Sequence, residues 1–196
     1  ALALAASGAQ ALDTVDFQVA TEDAQLIRAL KAASVILAAE RDGQTDAQDI
    51  LSDGRAEYGA LLNALYARGH YSAVIHVYAD GREVAAIPPL DAPARIDRIQ
   101  ITVDPGPRFA LSRATVSPLP SRPNLPDGFR SGAPAESGVI VAAAGAAVDG
   151  WRGQGNAKAK VTAQDIVADH ASATLSAYIQ IAPGPVLRFG RLTVTG

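Results

Sequence analysis

The sequence contains no cysteine, and only 5% of its 196 residues are aromatic. The absence of cysteine excludes disulfides, thiolate metal sites and cysteine nucleophiles, and it leaves the redox compartment open. Because aromatic side chains are few and much of the 48% apolar content is alanine, any core must be built mainly from Leu, Ile, Val and Ala. Such cores are thin, and the length suits either one large domain or two of about 80–100 residues.

The chain also lacks an excess of basic residues, since 17 Lys and Arg face 20 Asp and Glu for a net charge of −3. Nucleic-acid binding requires a basic stripe that neutralises phosphates, so we expect no nucleic-acid partner and no charge-driven membrane binding. No apolar run approaches the roughly 18 residues of a membrane-spanning helix. Residues 1–11 are apolar and end in small residues, which is typical either of a secretory-signal remnant or of an alanine-rich lead-in.

Two stretches of the chain repeat each other. PGPRFALSRATVSP begins at residue 105 and PGPVLRFGRLTVTG at residue 183, 78 residues later, and both carry Arg-x-Thr-Val at the same spacing. Upstream of each copy a helical pattern ends in Arg-Gly, first at residues 68–69 and then at residues 152–153. The chain is therefore predicted to hold two units of one plan, joined head to tail.

The first unit is predicted to be strand, helix, helix, strand, strand. Alternation predicts a strand over residues 13–19, and a stripe at helical spacing runs from Leu26 to Leu37. Thr45 and Gln48 fit a capping box that opens a second helix, and Gly69 stands where a left-handed helix end is expected. Asp80-Gly81 is typical of a two-residue hairpin, and pairing resumes over residues 96–103 after a proline-rich interruption.

The second unit repeats this order in a leaner form. Strands are predicted over 109–116, 157–163 and 173–181, and an alanine-rich helix over 135–151. Only a short stretch interrupted by Pro and Gly, near 126–131, stands where a first helix would be expected. Clean alternation in the last strand predicts a sheet with one solvated face and one helix-covered face.

The sequence carries no recognisable catalytic arrangement. It has no GxSxG elbow, and the glycines at 150, 153 and 155 follow a helix, the reverse of the strand-to-helix order that binds phosphate. No carboxylate stands at metal-ligand spacing from His70 or His76, and Asp169-His170 is typical of a turn. We therefore expect no catalytic residue, no cofactor and no metal.

Binding through a strand edge is the interpretation that remains. A three-stranded sheet leaves at least one edge whose backbone groups can accept a strand from another chain. Alternation nominates residues 72–78 and 156–162 as candidate edges. The candidate partner-binding residues are Ser72, Val74, His76, Tyr78, Lys158, Lys160 and Thr162. The candidate interdomain hinge consists of Pro105, Gly106, Pro107, Pro183, Gly184 and Pro185.

The tandem strand-helix-helix-strand-strand units resemble polypeptide-transport-associated (POTRA) domains. LLNALYARGHYSAVIHV at 61–77 resembles the passage from the second helix of such a domain into its second strand. PGPVLRFGRLTVTG at 183–196 resembles the passage from one such domain into the next. Among proteins with these domains, the chain resembles TamA-like outer-membrane assembly proteins, especially those of α-proteobacteria.

The resemblance implies an α+β fold with two tandem POTRA domains, each a three-stranded mixed sheet covered by two helices. It implies domains over 12–105 and 106–184, with 185–196 as the first strand of a third and an outer-membrane barrel still to follow. It further implies a non-enzymatic scaffold in the periplasm of a Gram-negative bacterium. The implied partners are a TamB-like inner-membrane-anchored protein and unfolded outer-membrane clients, and the implied contact with the membrane is through the barrel alone.

Three alternatives remain open on the sequence. The units could serve a BamA-type assembly protein, or they could be a passive spacer that positions the barrel. The third is an enzyme acting on a wall polymer, for which His70, His76 and His170 are the best candidate residues.

Overall fold

The structure, a computed structural model, describes residues 14–88 and 91–188. These residues divide into two compact units, of which the first contains those up to Tyr66 and those within 72–106, and the second contains Ala67–Tyr71 and residues 107–188. The predicted lead-in at 1–11 and residues 189–196 of the strand predicted for a third unit lie outside the described residues.

The first unit packs three helices on one face of a mixed sheet. Its elements are β1 (Thr14–Val19), α1 (Ala24–Ala33), α2 (Val35–Arg41), α3 (Ala47–Tyr66), β2 (Val74–Ala79), the two-residue β3 (Arg82–Glu83), a 3₁₀ turn (Val84–Ala86) and β4 (Arg98–Asp104). The strand order is β1-β4-β2-β3, with β1 parallel and β2 antiparallel to β4. The predicted inward residues of β4 are confirmed, because Ile99, Ile101 and Val103 are buried in the core with Leu30 and Leu61.

The predicted continuous helical stripe is broken at Ser34. Leu26 and Leu30 are buried as expected, but the chain leaves the helix at Ser34 (ψ 122°) and re-enters it as α2. The reason is a long-range contact. The Glu57 carboxylate, fully buried on α3, accepts hydrogen bonds from the N–H groups of Val35 (2.7 Å) and Ile36 (3.0 Å). These two donors at the start of α2 have no intrahelical partner, so Glu57 satisfies them in place of a preceding helical turn.

The start of α3 also differs from the prediction. Asp46, and not Thr45, caps the helix, because its carboxylate accepts from the N–H groups of Gln48 (2.9 Å) and Asp49 (3.0 Å). Asp is as good an N-cap residue as Thr, and Asp46 directly precedes the first residue of α3. Gly54 lies within the unbroken α3, where an added Cβ would be 3.2 Å from a methyl group of Val84. The glycine therefore permits a close contact between α3 and Val84.

Local turn chemistry behaves as predicted in the first unit. Asp80 (φ 47°) and Gly81 (φ 80°) both occupy the left-handed region, and Ala79 pairs with Arg82 across them. This is the two-residue hairpin that matches the twist of its strands. Gly69 likewise has a φ of 82° at the end of the α3 region, which confirms the predicted left-handed position.

The second unit is a three-stranded sheet packed against one helix. Its elements are β5 (Ala110–Ser117), α4 (Ser137–Gly153), β6 (Lys160–Asp169) and β7 (Thr174–Ala182), with strand order β5-β7-β6. β7 is central, parallel to β5 and antiparallel to β6. Ala143, Ala144 and Ala147 are buried on α4 against this sheet, so the small residues allow the close approach that their composition predicted.

The number of helices in this unit corrects the expectation of two. Between β5 and α4 the described chain forms turns and bends, with no helix over residues 118–136. The prolines and glycines of this passage explain the difference, since they cannot sustain a helical ladder.

Candidate functional site: the strand edges

β6 is the longest open strand edge among the described residues. It is ten residues long, and within the described part of the chain it pairs with β7 only. At the other edge of the sheet, the first half of β5 is covered by the 131–135 segment, since Leu111 donates to Ala133 and accepts from Gly132, both at 2.8 Å. In the first unit β1 also has a single partner, but it is only six residues long.

The outward backbone groups of β6 follow from the register of the sheet. The Ala173 carbonyl accepts from the N–H of Ala110 in β5. Along β7, the backbone N–H and C=O groups of every second residue therefore point to β5, and those of the residues between them point to β6. Asp165 and Val167 of β6 pair with β7 residues whose backbone groups point to β6. Their own N–H and C=O groups therefore form hydrogen bonds with β7. The residues between them point away from the sheet. These outward residues are Gln164, Ile166 and Ala168.

The side chains along β6 give its two faces different chemistry. Ile166 pairs with the buried Ala177 and so lies on the helix-covered face, yet it is 40% exposed at the edge where the described part of the sheet ends. Val167, 55% exposed, lies on the open face between the carboxylates of Asp165 and Asp169. A strand added beside β6 would therefore cover apolar surface on the helix side and face carboxylates on the open side.

The predicted residues at the start of β6 are placed differently by the structure. Lys158 lies in a turn before the strand, so its assignment to an edge strand is wrong, while Lys160 and Thr162 belong to β6. A bulge falls between Val161 and Ala163, and the Thr162 hydroxyl lies 3.3 Å from the Gln180 carbonyl oxygen. Alternation alone could not locate the strand start, because Ala157 and Lys158 continue the alternating pattern through a turn. The regular open edge accordingly begins after the bulge and spans residues 163–169.

The candidate residues of the first unit lie along β2 but do not form an open edge. Val74, His76 and Tyr78 alternate with the buried Val77 and Ala79, so their side chains occupy the open face of the sheet. β2 is bordered by β4 on one side and by β3 on the other, with β3 pairing Tyr78 and Ala79 only. Ser72 precedes the strand.

A cluster of three side chains, Tyr58, His76 and Glu83, covers Val77 on the β3 side of β2. The Glu83 carboxylate accepts from the Val77 N–H (3.2 Å) and from the Tyr58 hydroxyl, and it lies 3.1 Å from His76 Nδ1. The Tyr58 hydroxyl is also 3.4 Å from the Val77 carbonyl oxygen. We call this cluster the edge clamp. Sequence reasoning missed Tyr58 and Glu83, although the Asp80-Gly81 hairpin register places Glu83 opposite Tyr78.

The edge clamp changes the acidity of its members. Burial raises the pKa of Tyr58 to about 12, assisted by its hydrogen bond to the Glu83 carboxylate and by the charge of that group. Burial also raises the pKa of Glu83, but the hydrogen bonds from Tyr58, Val77 and His76 together outweigh it and leave the pKa below its usual value. The raised pKa keeps the Tyr58 phenol neutral, and the lowered pKa keeps Glu83 a carboxylate. These are the protonation states in which the two groups form their hydrogen bond.

Alkaline titration should reveal the clamp directly. We expect the phenolate absorbance that is lost in Tyr58→Phe to have a midpoint near pH 12, because the neutral phenol is held by burial and by Glu83. Since the pKa is raised on folding, this contribution to stability is fully present below about pH 10 and is lost as pH rises through 12. The measurement is the 295 nm difference titration of the two proteins, and a midpoint near 10 would show that the contact is absent.

The two Pro-Gly-Pro segments share their backbone geometry. Gly106 and Gly184 both have positive φ, 61° and 70°. An added Cβ at Gly106 would be 3.1 Å from the Ser72 carbonyl oxygen, and the Gly184 carbonyl accepts from Asn156 Nδ2 (2.8 Å). Both glycines are therefore required by conformation. The role of residues 105–107 and 183–185 as a hinge between domains stays a prediction.

The same backbone bond follows each Pro-Gly-Pro. The N–H of Phe109 donates to the Gly69 carbonyl, and the N–H of Leu187 donates to the Gly155 carbonyl, both at 2.8 Å. Gly69 and Gly155 both have positive φ and stand after the long helix of the respective repeat. The sequence repeat thus corresponds to a repeated contact.

Chemical features other than strand edges are few in the part of the chain that the structure describes. No group of three or more His, Asp or Glu side chains there is arranged to hold a metal ion. None of the helices described is at once long and apolar enough to cross a membrane. His70 is buried, and the His170 ring packs edge-on against Phe109 at 5.6 Å.

Comparison with known proteins gives similarities of fold. No protein-family model and no curated protein sequence matches the chain. Solved structures that are similar to it include three of POTRA domains. POTRA domains 3–5 of BamA from Haemophilus influenzae match with a TM-score of 0.40 and 16% identity, over 72% of this chain and 56% of that one. POTRA domains 1–2 of the periplasmic domain of Omp85 from Anabaena match with a TM-score of 0.43 and 15% identity, over 90% of this chain and 97% of that one. A structure of POTRA domains 1–3 of the same protein matches with a TM-score of 0.43 and 12% identity, over 89% of this chain and 61% of that one. The chain therefore spans just over half of the BamA structure.

Proposed function

We propose that the chain is a periplasmic scaffold of a TamA-like outer-membrane assembly protein and that it binds partner segments by strand addition. The observation that carries the proposal is the open edge of β6, where three outward residues over 163–169 present N–H and C=O groups beside exposed apolar side chains. An edge of this kind is a template for a strand from another chain. The sequence resemblance to POTRA domains supplies the periplasmic and assembly context.

The chemistry beside β6 favours a segment of alternating character. Ile166 continues the helix-covered core, so the facing side chains of an added strand gain by being apolar. On the open face Asp165 and Asp169 favour hydroxyl or basic side chains in the added strand. Strands of an unfolded outer-membrane barrel alternate between apolar and polar residues in this way. We infer that such client segments, or an alternating segment of a TamB-like partner, occupy this edge.

Binding measurements with both kinds of segment test the function. Fluorescence anisotropy with labelled ten-residue peptides, taken from barrel strands and from the C-terminal part of a TamB-like protein, should show saturable binding to the full chain. A scrambled peptide of the same composition that lacks alternation is the control and should bind at least tenfold more weakly. If no peptide binds at millimolar concentration, the chain is a spacer and the proposal is wrong.

A further inference from the structure

The two units differ in whether the equivalent strand edge is accessible. In each unit the second long strand in sequence, β2 or β6, follows the long helix and pairs antiparallel with the strand that runs parallel to the first strand. β6 has no further neighbour in the described structure, whereas the outer side of β2 is occupied by β3 and by the edge clamp. The same plan therefore gives one open edge and one covered edge.

The covering of β2 can be followed residue by residue. The N–H of Val77 bonds to Glu83, away from β4, so Ile75, Val77 and Ala79 are the outward residues of this strand. Ala79 pairs with Arg82 in the hairpin. The Val77 N–H donates to the Glu83 carboxylate, and the Val77 carbonyl lies beside the Tyr58 hydroxyl. Only Ile75 is left outside these contacts. A strand partner needs several consecutive outward residues, so β2 cannot receive one while the clamp is closed.

We propose that the edge clamp of Tyr58, His76 and Glu83 determines specificity by closing β2 and thereby directing strand partners to β6. This inference rests on the proposed function, because it concerns which of two edges receives the strand. Its physical basis is that a carboxylate held by three hydrogen bonds is costly to displace, and the partner would have to replace all three. His76 adds a contact to the carboxylate from the open face of the same strand.

The test removes the clamp and keeps the strand. The double variant Tyr58→Phe/Glu83→Ala loses the phenol hydroxyl and the carboxylate that contact the Val77 backbone. It retains the aromatic ring at position 58 and the β3 backbone. The matched control is Glu40→Ala, which removes an exposed carboxylate from α2 of the same unit. The probe is a ten-residue peptide that alternates Val or Phe with Thr or Lys, titrated into ¹⁵N-labelled full chain.

Two readouts decide the proposal. In the double variant the Val77 amide should exchange with deuterium roughly tenfold faster, as expected for the loss of one hydrogen bond. Peptide-induced shift changes should then appear at residues 74–77 in addition to those on β6, while wild type and Glu40→Ala show changes on β6 alone. Unchanged exchange at Val77, or the absence of new shifts at 74–77 despite faster exchange, would overturn the proposal.

The outcome can be separated from that of the proposed function. If wild type shows no shifts on β6, the proposed function fails, but new shifts at 74–77 in the double variant would still support the clamp. If wild type already shows shifts at 74–77, the clamp does not close β2, even though strand addition occurs.

Discussion

Replacing Glu57 with alanine is expected to destabilise the first unit by about 3 kcal/mol, the largest effect on stability that we predict. The carboxylate is fully buried, and its Oε2 accepts from two N–H groups at the start of α2. Alanine would remove the acceptor of the buried Ile36 N–H and of the partly buried Val35 N–H, and it would open a cavity beneath the helix. Relief from burying the carboxylate, whose Oε1 has no hydrogen-bond partner, offsets part of this cost.

Urea unfolding followed by far-UV circular dichroism measures the effect, because α1, α2 and α3 supply most of the helix in the residues that the structure describes. Glu57→Gln is the matched control. Its amide oxygen can still accept from Val35 and Ile36, and we expect a loss of only about 1 kcal/mol from removing a negative charge at a helix start. A loss below about 0.5 kcal/mol in Glu57→Ala would show that α2 does not depend on this carboxylate.

Gln164→Pro is expected to weaken binding of an alternating peptide by tenfold or more and leave the fold intact. The Gln164 N–H points away from β7, so proline removes a donor that the ladder does not use. Proline is tolerated on edge strands at such positions. A strand approaching β6 would lose that hydrogen bond and meet the proline ring, and a tenfold loss corresponds to about 1.4 kcal/mol.

Gln164→Thr is the control, because it changes the exposed side chain and retains both the N–H and a strand-forming residue. Anisotropy titrations of the three proteins, with circular dichroism to confirm folding, make the comparison. Equal affinity for a folded Gln164→Pro protein would argue for binding at a different surface. If the chain is a passive spacer, Gln164→Pro should have no effect on its function.

Features set by local chemistry could be predicted from the sequence. The Asp80-Gly81 hairpin, the left-handed Gly69 and the inward residues of β4 depend on a few neighbouring residues or on simple alternation, and all three are confirmed. The absence of a second helix from residues 118–136 follows from the same local rules, since proline and glycine interrupt the segment.

Features set by distant contacts could not be predicted in this way. The break at Ser34 depends on Glu57, twenty-three residues further on, and an apolar stripe gives no sign of it. The accessibility of an edge depends on which strands and side chains border it, so alternation nominated β2 without revealing Glu83 and Tyr58 beside Val77. The start of β6 was also missed, because the Lys158 turn and the strand share one alternating pattern.

Strand addition at β6 is tested most directly by amide hydrogen exchange of the full chain with and without a saturating alternating peptide. We expect the peptide to protect the amides of Gln164, Ile166 and Ala168, which point outward, while those of Asp165 and Val167 are already protected by β7. Protection confined to other parts of the chain, or no change at these three alternate amides, would contradict it.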